Sequence, residues 1–128
     1  MSISYDQDNI FAKILRGELP CDKVLETDHS LAFRDIAPLA PDHVLVIPKG
    51  AYICFEHFSK EASVEEMADF VHSVGEVVRL MGIDPGSGGG GYRLISNAGM
   101  DGGQEVPHFH VHVVGGRRLG PILAATNA

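Results

Sequence analysis

The chain has 128 residues, of which 45% are hydrophobic and 21% charged, so it can form one domain with a single core and is neither disordered nor fibrous. Ten Lys and Arg against 17 Asp and Glu give a formal net charge of −7, which argues against a nucleic-acid partner. Because no apolar stretch approaches the ~20 residues of a membrane span and the first residues lack a leader pattern, we expect a cytoplasmic protein without a membrane partner.

One short helix and three strands are predicted in the first half of the chain. Asp8 can cap a helix that begins at Asn9, and Gly17 ends it after about two turns. Residues of high strand propensity then lie between turn residues and prolines, which predicts strands over 23–27, 30–34 and 43–48. The first two of these strands are close enough in sequence to form a hairpin.

A long helix and two further strands are predicted in the second half. Ser63 and Glu66 form a capping box, and apolar residues recur at helical spacing from there to Gly82. The next segment, 86–91, is so rich in glycine that a flexible loop is expected. A loose C-terminal tail is preceded by the two remaining strands, at 92–96 and 106–114.

These elements predict a single domain over residues 1–128, with its core at about 9–121. The connections are too short for repeated crossovers between parallel strands, so the sheet is expected to be mainly antiparallel. We therefore predict an α+β fold. It consists of a meander of about five strands with one short helix and one long helix, the long helix packed on one face of the sheet.

Three histidines at alternating positions are the most informative feature of the sequence. In a strand, His108, His110 and His112 point to one face, while Phe109, Val111 and Val113 point to the other. Neighbouring side chains on one face of a strand are roughly 7 Å apart, so adjacent imidazoles can bracket a small anion such as phosphate. A neutral imidazole is also a good nucleophile toward phosphorus, which makes covalent catalysis available.

A metal site is the alternative interpretation of these histidines. An H-x-H pair on a strand can supply two zinc ligands, and the third imidazole or His43 can complete the set. Three histidines along one strand are nevertheless too far apart to bind a single ion together without distortion. We therefore expect no metal and no cofactor.

Two other segments carry groups that suit a nucleotide. Asn97 and the glycines of the loop that follows offer an amide and unblocked backbone N–H groups, the donors that a phosphoryl oxygen requires. Phe33 and Ile36 could sandwich a base, and the carboxylate of Asp35 could accept ribose hydroxyls. A nucleoside phosphate is therefore a candidate ligand.

These motifs together resemble a known family. The run HFHVHVV at 108–114 resembles the signature of the histidine triad (HIT) superfamily. The flanking segments AFRDIAPLAPDHVLVIPK, GGQEV and GGR are similar to the Hint branch of bacterial type, the histidine triad nucleotide-binding proteins, and stand at 32–49, 102–106 and 115–117. The resemblance covers most of the chain, from about residue 9 to residue 121, and its motifs are specific.

The resemblance implies a HIT-like fold, a homodimer whose two sheets join into one, and a metal-independent purine nucleoside phosphoramidase. Such an enzyme cleaves the P–N bond of AMP or GMP phosphoramidates, or acts on aminoacyl-adenylates. By motif, His110 would be the nucleophile that forms a nucleotidyl-histidine intermediate. Its implied catalytic partners are His112, His108 and His43. The implied nucleotide-binding residues are Phe11, Ile14, Phe33, Asp35, Ile36, Asn97, Gly103, Gln104, Glu105 and Val106.

The sequence departs from the family pattern at Glu105, where many eukaryotic Hint proteins carry serine. Two alternatives to the phosphoramidase also stay open. A dinucleoside polyphosphate hydrolase of the Fhit-like branch shares the triad, although Gly115 and Gly116 favour the Hint branch. A nucleotide-binding or scaffold dimer without catalysis is the alternative from a different class.

Overall fold

A computed structural model describes residues 4–124 and shows an α+β fold, as predicted. The helices are α1 (Ile10–Leu15), α2 (Phe55–Glu61) and α3 (Val64–Met81). The strands are β1 (Lys23–Glu26), β2 (Ser30–Arg34), β3 (Asp42–Pro48), β4 (Tyr92–Ile95) and β5 (Val111–Gly115). The end of the predicted tail, residues 125–128, lies outside the described part of the chain. No helix within 4–124 is long and apolar enough to cross a membrane.

The five strands form one antiparallel sheet in the order β1-β2-β3-β5-β4, with α3 packed on one face. The prediction of a meander is therefore wrong, because β5 lies between β3 and β4. Val113 of β5 pairs with Val44 of β3 on one side and with Leu94 of β4 on the other. The connection from β3 to β4 runs through α2 and α3 and is not a tight turn, so β4 does not pair with β3, and β5 pairs there instead. As a result β4 is an edge strand.

Capping residues set the ends of two helices. The cap of α1 is Asn9, not Asp8 as predicted, because its side-chain oxygen accepts a hydrogen bond from the Ala12 N–H at 2.9 Å. The capping box of α3 is confirmed, since the side chains of Ser63 and Glu66 each accept from the other's backbone N–H. Gly82 ends α3 with a φ of +71°, a conformation that favours glycine.

Two short elements were not predicted. Helix α2 has seven residues, its cap residue Cys54 makes no side-chain capping bond, and Phe58 is its one buried residue. It therefore lacks both a capping signal and an apolar stripe. A 3₁₀ helix at Pro85–Ser87 overlaps the segment predicted as a flexible loop, and the side chain of Asp84 caps it by accepting from the Gly86 N–H.

The last predicted strand is shorter than expected, since β5 begins at Val111 and not at residue 106. Pro107 has no N–H to donate, and the N–H of Phe109 is bonded to the Tyr52 carbonyl at 2.7 Å instead of to a strand. The predicted alternation of side chains is kept nevertheless. Phe109 packs in the core on the α3 side, while the rings of His108 and His110 contact Phe11 on the other face of the sheet.

Each face of the sheet has its own core. Val44 and Val46 of β3 join the core on the α3 side, whereas Leu45 and Ile47 join the core on the α1 side. All four side chains are buried, so β3 is covered on both faces. The histidines therefore lie on the face whose core is completed by the short α1.

Candidate active site

A cavity of about 390 Å³ opens on the α1 side of the sheet, beside the histidines. Side chains from α1, β3, β5 and two loops line it. Nine of the residues predicted for the site are among those that line it: Phe11, Asp35, His43, Asn97, Gly103, Glu105, Val106, His110 and His112. Ala37, Leu39 and Leu45 also line the cavity and were not predicted. The fold thus brings residues from the whole length of the chain to one place.

Five predicted residues do not line this cavity. His108 is completely buried behind it. Phe33 and Ile14 pack in the core on the α1 side, where the Phe33 ring meets Phe11 edge to face at 5.5 Å. Gln104 is used by the backbone, because its amide donates to the carbonyls of Ile53 and Val106. The fifth residue, Ile36, is 101% exposed, so its side chain packs against neither the cavity nor the core. Nucleotide contacts by these residues stay predictions.

The ring of His110 is held so that one nitrogen is free. Its Nδ1 is 2.7 Å from the main-chain carbonyl oxygen of His108, and a carbonyl only accepts, so Nδ1 carries the proton. Burial lowers the pKa of His110, which keeps the ring neutral near pH 7. The other nitrogen, Nε2, therefore has a lone pair. A neutral histidine with a free Nε2 beside a cavity is suited to nucleophilic attack.

A backbone amide fixes the protons on His43 and His112. The Leu39 N–H donates to Nδ1 of His43 at 3.1 Å, so the neutral His43 ring carries its proton on Nε2. That Nε2 lies 2.9 Å from Nδ1 of His112, which must accept and so carries its own proton on Nε2. Burial, together with the neighbouring His110, lowers the pKa of His112 to about 4. His112 is thus a neutral ring that presents an N–H donor.

Both ring nitrogens of His108 have a hydrogen-bond partner. Its Nε2 is 2.8 Å from the Pro48 carbonyl oxygen, and its Nδ1 is 2.5 Å from the hydroxyl of Tyr5. Burial lowers the pKa of His108 to about 4, and the hydrogen bond to Pro48 opposes that shift only in part. Tyr5 was missed by sequence reasoning, since no local pattern connects it to a residue more than a hundred positions away.

Two carboxylates stand at the cavity. Asp35 lies 3.5 Å from Nε2 of His43, and its other oxygen accepts from the Ala37 N–H at 2.8 Å. Glu105 is exposed at the side of the cavity. Both carboxylates favour the protonated form of His110 and so oppose the effect of burial on its pKa. The cavity therefore contains acidic groups beside its histidines and is not a purely positive phosphate site.

One group in the cavity could hold a cation. Asp35, His43 and His112 each offer a ligand atom, and these atoms lie within 4.8 Å of one another. The set contains one member of the histidine triad and His43, whereas the zinc site that the sequence suggested uses an H-x-H pair of the triad with the third imidazole or His43. Its two imidazoles are hydrogen-bonded to each other at 2.9 Å, and an ion would have to replace that bond.

A larger cavity lies on the opposite face of the sheet. This apolar groove, of about 590 Å³, runs between α3 and β4 and is bordered by exposed apolar side chains: Phe55, Val71, Tyr92, Leu94 and Ile95. It contains no histidine and no acidic or basic side chain. The side chains suited to acid–base or nucleophilic chemistry therefore line the smaller cavity and not this groove.

Comparison with known proteins agrees with this geometry. A family model, the HIT domain, matches residues 16–119. A HIT-like protein of Azospirillum brasilense is 55% identical over 123 residues, which covers 96% of this chain and 98% of that protein. The purine nucleoside phosphoramidase of Escherichia coli strain K12 is 41% identical over 118 residues, which covers 92% of this chain and 95% of that protein.

Solved structures share the fold. A HIT family hydrolase of Legionella pneumophila has a TM-score of 0.78 and 37% identity, with 88% of this chain and 96% of that chain covered. A histidine triad protein of Clostridium difficile has a TM-score of 0.78 and 36% identity, with 94% of this chain and 100% of that chain covered. On the match to the domain model and on these identities, the chain belongs to the HIT family.

Proposed function

We propose that the protein is a purine nucleoside phosphoramidase that hydrolyses the P–N bond of nucleoside 5′-phosphoramidates. The observation that carries the proposal is His110, whose Nδ1 is tied to a carbonyl at 2.7 Å while its Nε2 is left free beside a cavity. The E. coli relative of that name, 41% identical over nearly the whole chain, supports the same activity. AMP and GMP phosphoramidates and aminoacyl-adenylates are the substrates that we propose.

The chemistry has two steps. Nε2 of His110 attacks phosphorus and forms an N–P bond, while the P–N bond to the amine breaks and the amine leaves with a proton. Water supplies that proton, and the hydroxide that remains is consumed in the second step, while neutral His112 donates its Nε2–H to a phosphoryl oxygen and its Nδ1 accepts from His43. Water then attacks phosphorus and releases His110. The products are a nucleoside monophosphate and the amine.

The other residues of the cavity would bind the nucleotide. The carboxylate of Asp35 would accept ribose hydroxyls, and Phe11 with Val106 would offer an apolar wall for the base, since all three line the cavity. Phe33 and Ile14 would act indirectly, by supporting Phe11 from the core. The phosphate would be bound by donors that also line the cavity: Asn97, the backbone at Gly103, and His112.

We further propose that the enzyme acts as a cytoplasmic homodimer joined along β4. That strand is at the edge of the sheet and lacks a partner on its outer side within the described chain. Leu94 and Ile95 of β4 and Val71 of α3 are exposed beside the apolar groove. Pairing of two β4 strands about a twofold axis would cover all three and would extend the sheet to ten strands. Light scattering on purified protein measures this: a dimer mass supports the proposal, and a monomer mass contradicts it.

The catalytic proposal is tested by amine release from an AMP phosphoramidate, with chelator-treated protein. Wild-type protein should turn over, and His110→Ala should lose activity by about a thousandfold or more, because the covalent step needs its Nε2. The affinity for AMP should change little. His72→Ala is the matched control, since it removes an exposed imidazole of α3 far from the cavity.

Three outcomes would overturn the proposal in different ways. Equal activity in His110→Ala would exclude this nucleophile. Faster turnover of a dinucleoside polyphosphate than of the phosphoramidate would favour the Fhit-like alternative. Absence of turnover together with tight AMP binding would indicate a nucleotide-binding protein without catalysis.

A further inference from the structure

Tyr5 lies against the histidine triad although 103 positions separate it from His108. Its hydroxyl oxygen is 2.5 Å from Nδ1 of His108, and the two rings meet edge to face with centroids 5.6 Å apart. Tyr5 is half-buried and does not line the nucleotide cavity. It therefore contacts a member of the triad without lining the cavity.

The segment that carries Tyr5 is fixed to helix α1. The carbonyl of Asp6 accepts from both the backbone N–H and the side-chain amide of Asn9, at 3.2 and 2.7 Å. Asn9 is itself the cap of α1 and is buried. The carbonyl of Gln7 accepts from the Arg16 guanidinium at 2.8 Å. Tyr5 is thus placed by the start of a helix that also supplies Phe11 to the cavity.

The direction of the hydrogen bond from Tyr5 follows from its neighbours. The Pro48 carbonyl can only accept, so Nε2 of His108 donates to it and carries the ring proton. Nδ1 of the neutral ring then has no proton, and the Tyr5 hydroxyl must be the donor. Each nitrogen of the completely buried His108 has one partner, and each partner suits the same tautomer.

His108 acts on the nucleophile through its main chain. Its carbonyl oxygen accepts the Nδ1 proton of His110 at 2.7 Å, and this bond is what leaves Nε2 of His110 free. The ring that Tyr5 holds and the carbonyl that holds His110 belong to the same residue. Residues 107–110 lie outside β5, so this carbonyl is oriented by local contacts and not by the sheet: the Phe109 N–H of the same peptide donates to the Tyr52 carbonyl at 2.7 Å, and the ring of His108 is held at both nitrogens.

We propose that Tyr5 is a positioning residue for the nucleophile: by donating to Nδ1 of His108, it fixes the residue whose carbonyl orients His110. The proposal rests on the proposed function for its effect on rate, but not for its structural content. Without the hydroxyl, the ring of His108 is anchored by the Pro48 carbonyl alone and gains freedom. Its main chain keeps the bond of its N–H to Val106 and the bond of the Phe109 N–H to Tyr52, so a shift of the ring is passed to the carbonyl as a small reorientation. His110 then spends less time with its lone pair directed at phosphorus.

Tyr5→Phe tests this, because it removes the hydroxyl and keeps the ring. We expect kcat for the AMP phosphoramidate to fall by about tenfold, since a small misplacement of a reacting group is costly. KM and the AMP Kd should stay unchanged, because Tyr5 makes no contact with the cavity. Tyr52→Phe is the matched control: its hydroxyl is bonded to Glu66 at 2.8 Å and has no contact with the triad. Its kcat should stay unchanged.

A spectroscopic measurement separates positioning from a merely structural role. NMR of ¹⁵N-histidine-labelled wild-type protein should show His108 protonated on Nε2 and His110 on Nδ1. In Tyr5→Phe the signal of His110 should shift toward a mixture of tautomers, whereas Tyr52→Phe should match the wild type. Unchanged kcat in folded Tyr5→Phe overturns the proposal. So does a wild-type His108 protonated on Nδ1, a result that decides the matter even if the variant does not fold.

The same measurements distinguish failure of this proposal from failure of the proposed function. Should the wild type not hydrolyse the phosphoramidate, the proposed function is wrong, and the tautomer of His110 in Tyr5→Phe still decides the role of Tyr5. A wild type that turns over, with Tyr5→Phe unchanged in both rate and spectrum, refutes only the role of Tyr5.

Discussion

The two faces of the segment from 108 to 114 are equally buried but are stabilised in different ways. On the α3 face, Phe109 and Val113 are almost completely buried, and the Phe109 ring lies 5.0 Å from that of Phe70. On the opposite face, His108 is also completely buried and His110 is 6% exposed. The first face gains free energy from apolar area alone, while the second must offset the desolvation of polar rings.

The difference shows that a buried polar group restricts which neighbours it can have more than a buried apolar group does. An apolar side chain accepts any neighbour of the right shape, whereas an imidazole nitrogen needs a donor or an acceptor at a particular place. The rings of His108, His110 and His43 each meet this need with backbone groups. No buried side-chain nitrogen or oxygen within residues 4–124 lacks a partner. The histidine face therefore fixes where the protons lie.

The largest expected difference is between the losses of stability when one side chain on each face is truncated to alanine. Phe109→Ala should lower the free energy of unfolding by about 3–5 kcal/mol, because it opens a cavity between Phe58 and Phe70. His110→Ala should lower it by only about 1 kcal/mol, the usual contribution of one hydrogen bond. Urea denaturation measures both. Similar losses in the two variants would contradict the contrast between the faces.

The pH dependence of stability should come from the histidine face. The pKa of His108 is lowered by burial from 6.5 to about 4, so below pH 6.5 the unfolded chain binds a proton that the folded protein does not. Stability should be fully present above pH 6.5 and should fall between pH 6.5 and 4, by about 3 kcal/mol for His108 alone. His112, with a pKa of about 4, contributes in the same direction.

Unfolding measured at several pH values checks this expectation. His112→Gln should make the acid loss of stability smaller, since it removes a group that binds its proton at a higher pH in the unfolded chain than in the folded protein. His72→Gln, on the exposed side of α3, should keep the wild-type slope. If the free energy of unfolding of His112→Gln changed with pH as it does in the wild type, the ring of His112 would not be buried in its neutral form.

Asp35→Asn should have the smallest effect and extends the comparison to the ligand. If the carboxylate accepts ribose hydroxyls, its loss should weaken AMP binding by about 1.5–3 kcal/mol, as for hydrogen bonds to a charged group. Binding of the 2′-deoxy analogue should weaken less. Calorimetric titration of both nucleotides gives the difference. An equal loss for both would assign Asp35 a structural role through His43.

Local patterns predicted those parts of the molecule that local chemistry determines. The capping box at Ser63 and the stop at Gly82 are encoded within one helical turn, and the alternation of His110 with Phe109 is a property of extended backbone. Helix α2 has no such signal. Its formation follows from the burial of Phe58 in the core, which depends on the whole fold.

Residues of the candidate site that belong to sequence motifs were predicted, and residues that reach the site only through tertiary contacts were missed. Asn97 and His112 were found from their motifs, and both line the cavity. Ile36 was chosen for its place next to Asp35, yet in the described chain its side chain faces solvent. Tyr5 contacts His108 only because α1 fixes the preceding segment, and neither residue type nor spacing indicates that contact.

The amide of Leu39 gives the site a form of mutational robustness. Its N–H sets the tautomer of His43, and through it that of His112, but it belongs to the main chain. Every residue type except proline supplies that donor. The positions of these ring protons are thus set by the backbone of the loop, and a change of side chain at position 39 leaves them unchanged. A search for invariant side chains alone overlooks this backbone donor.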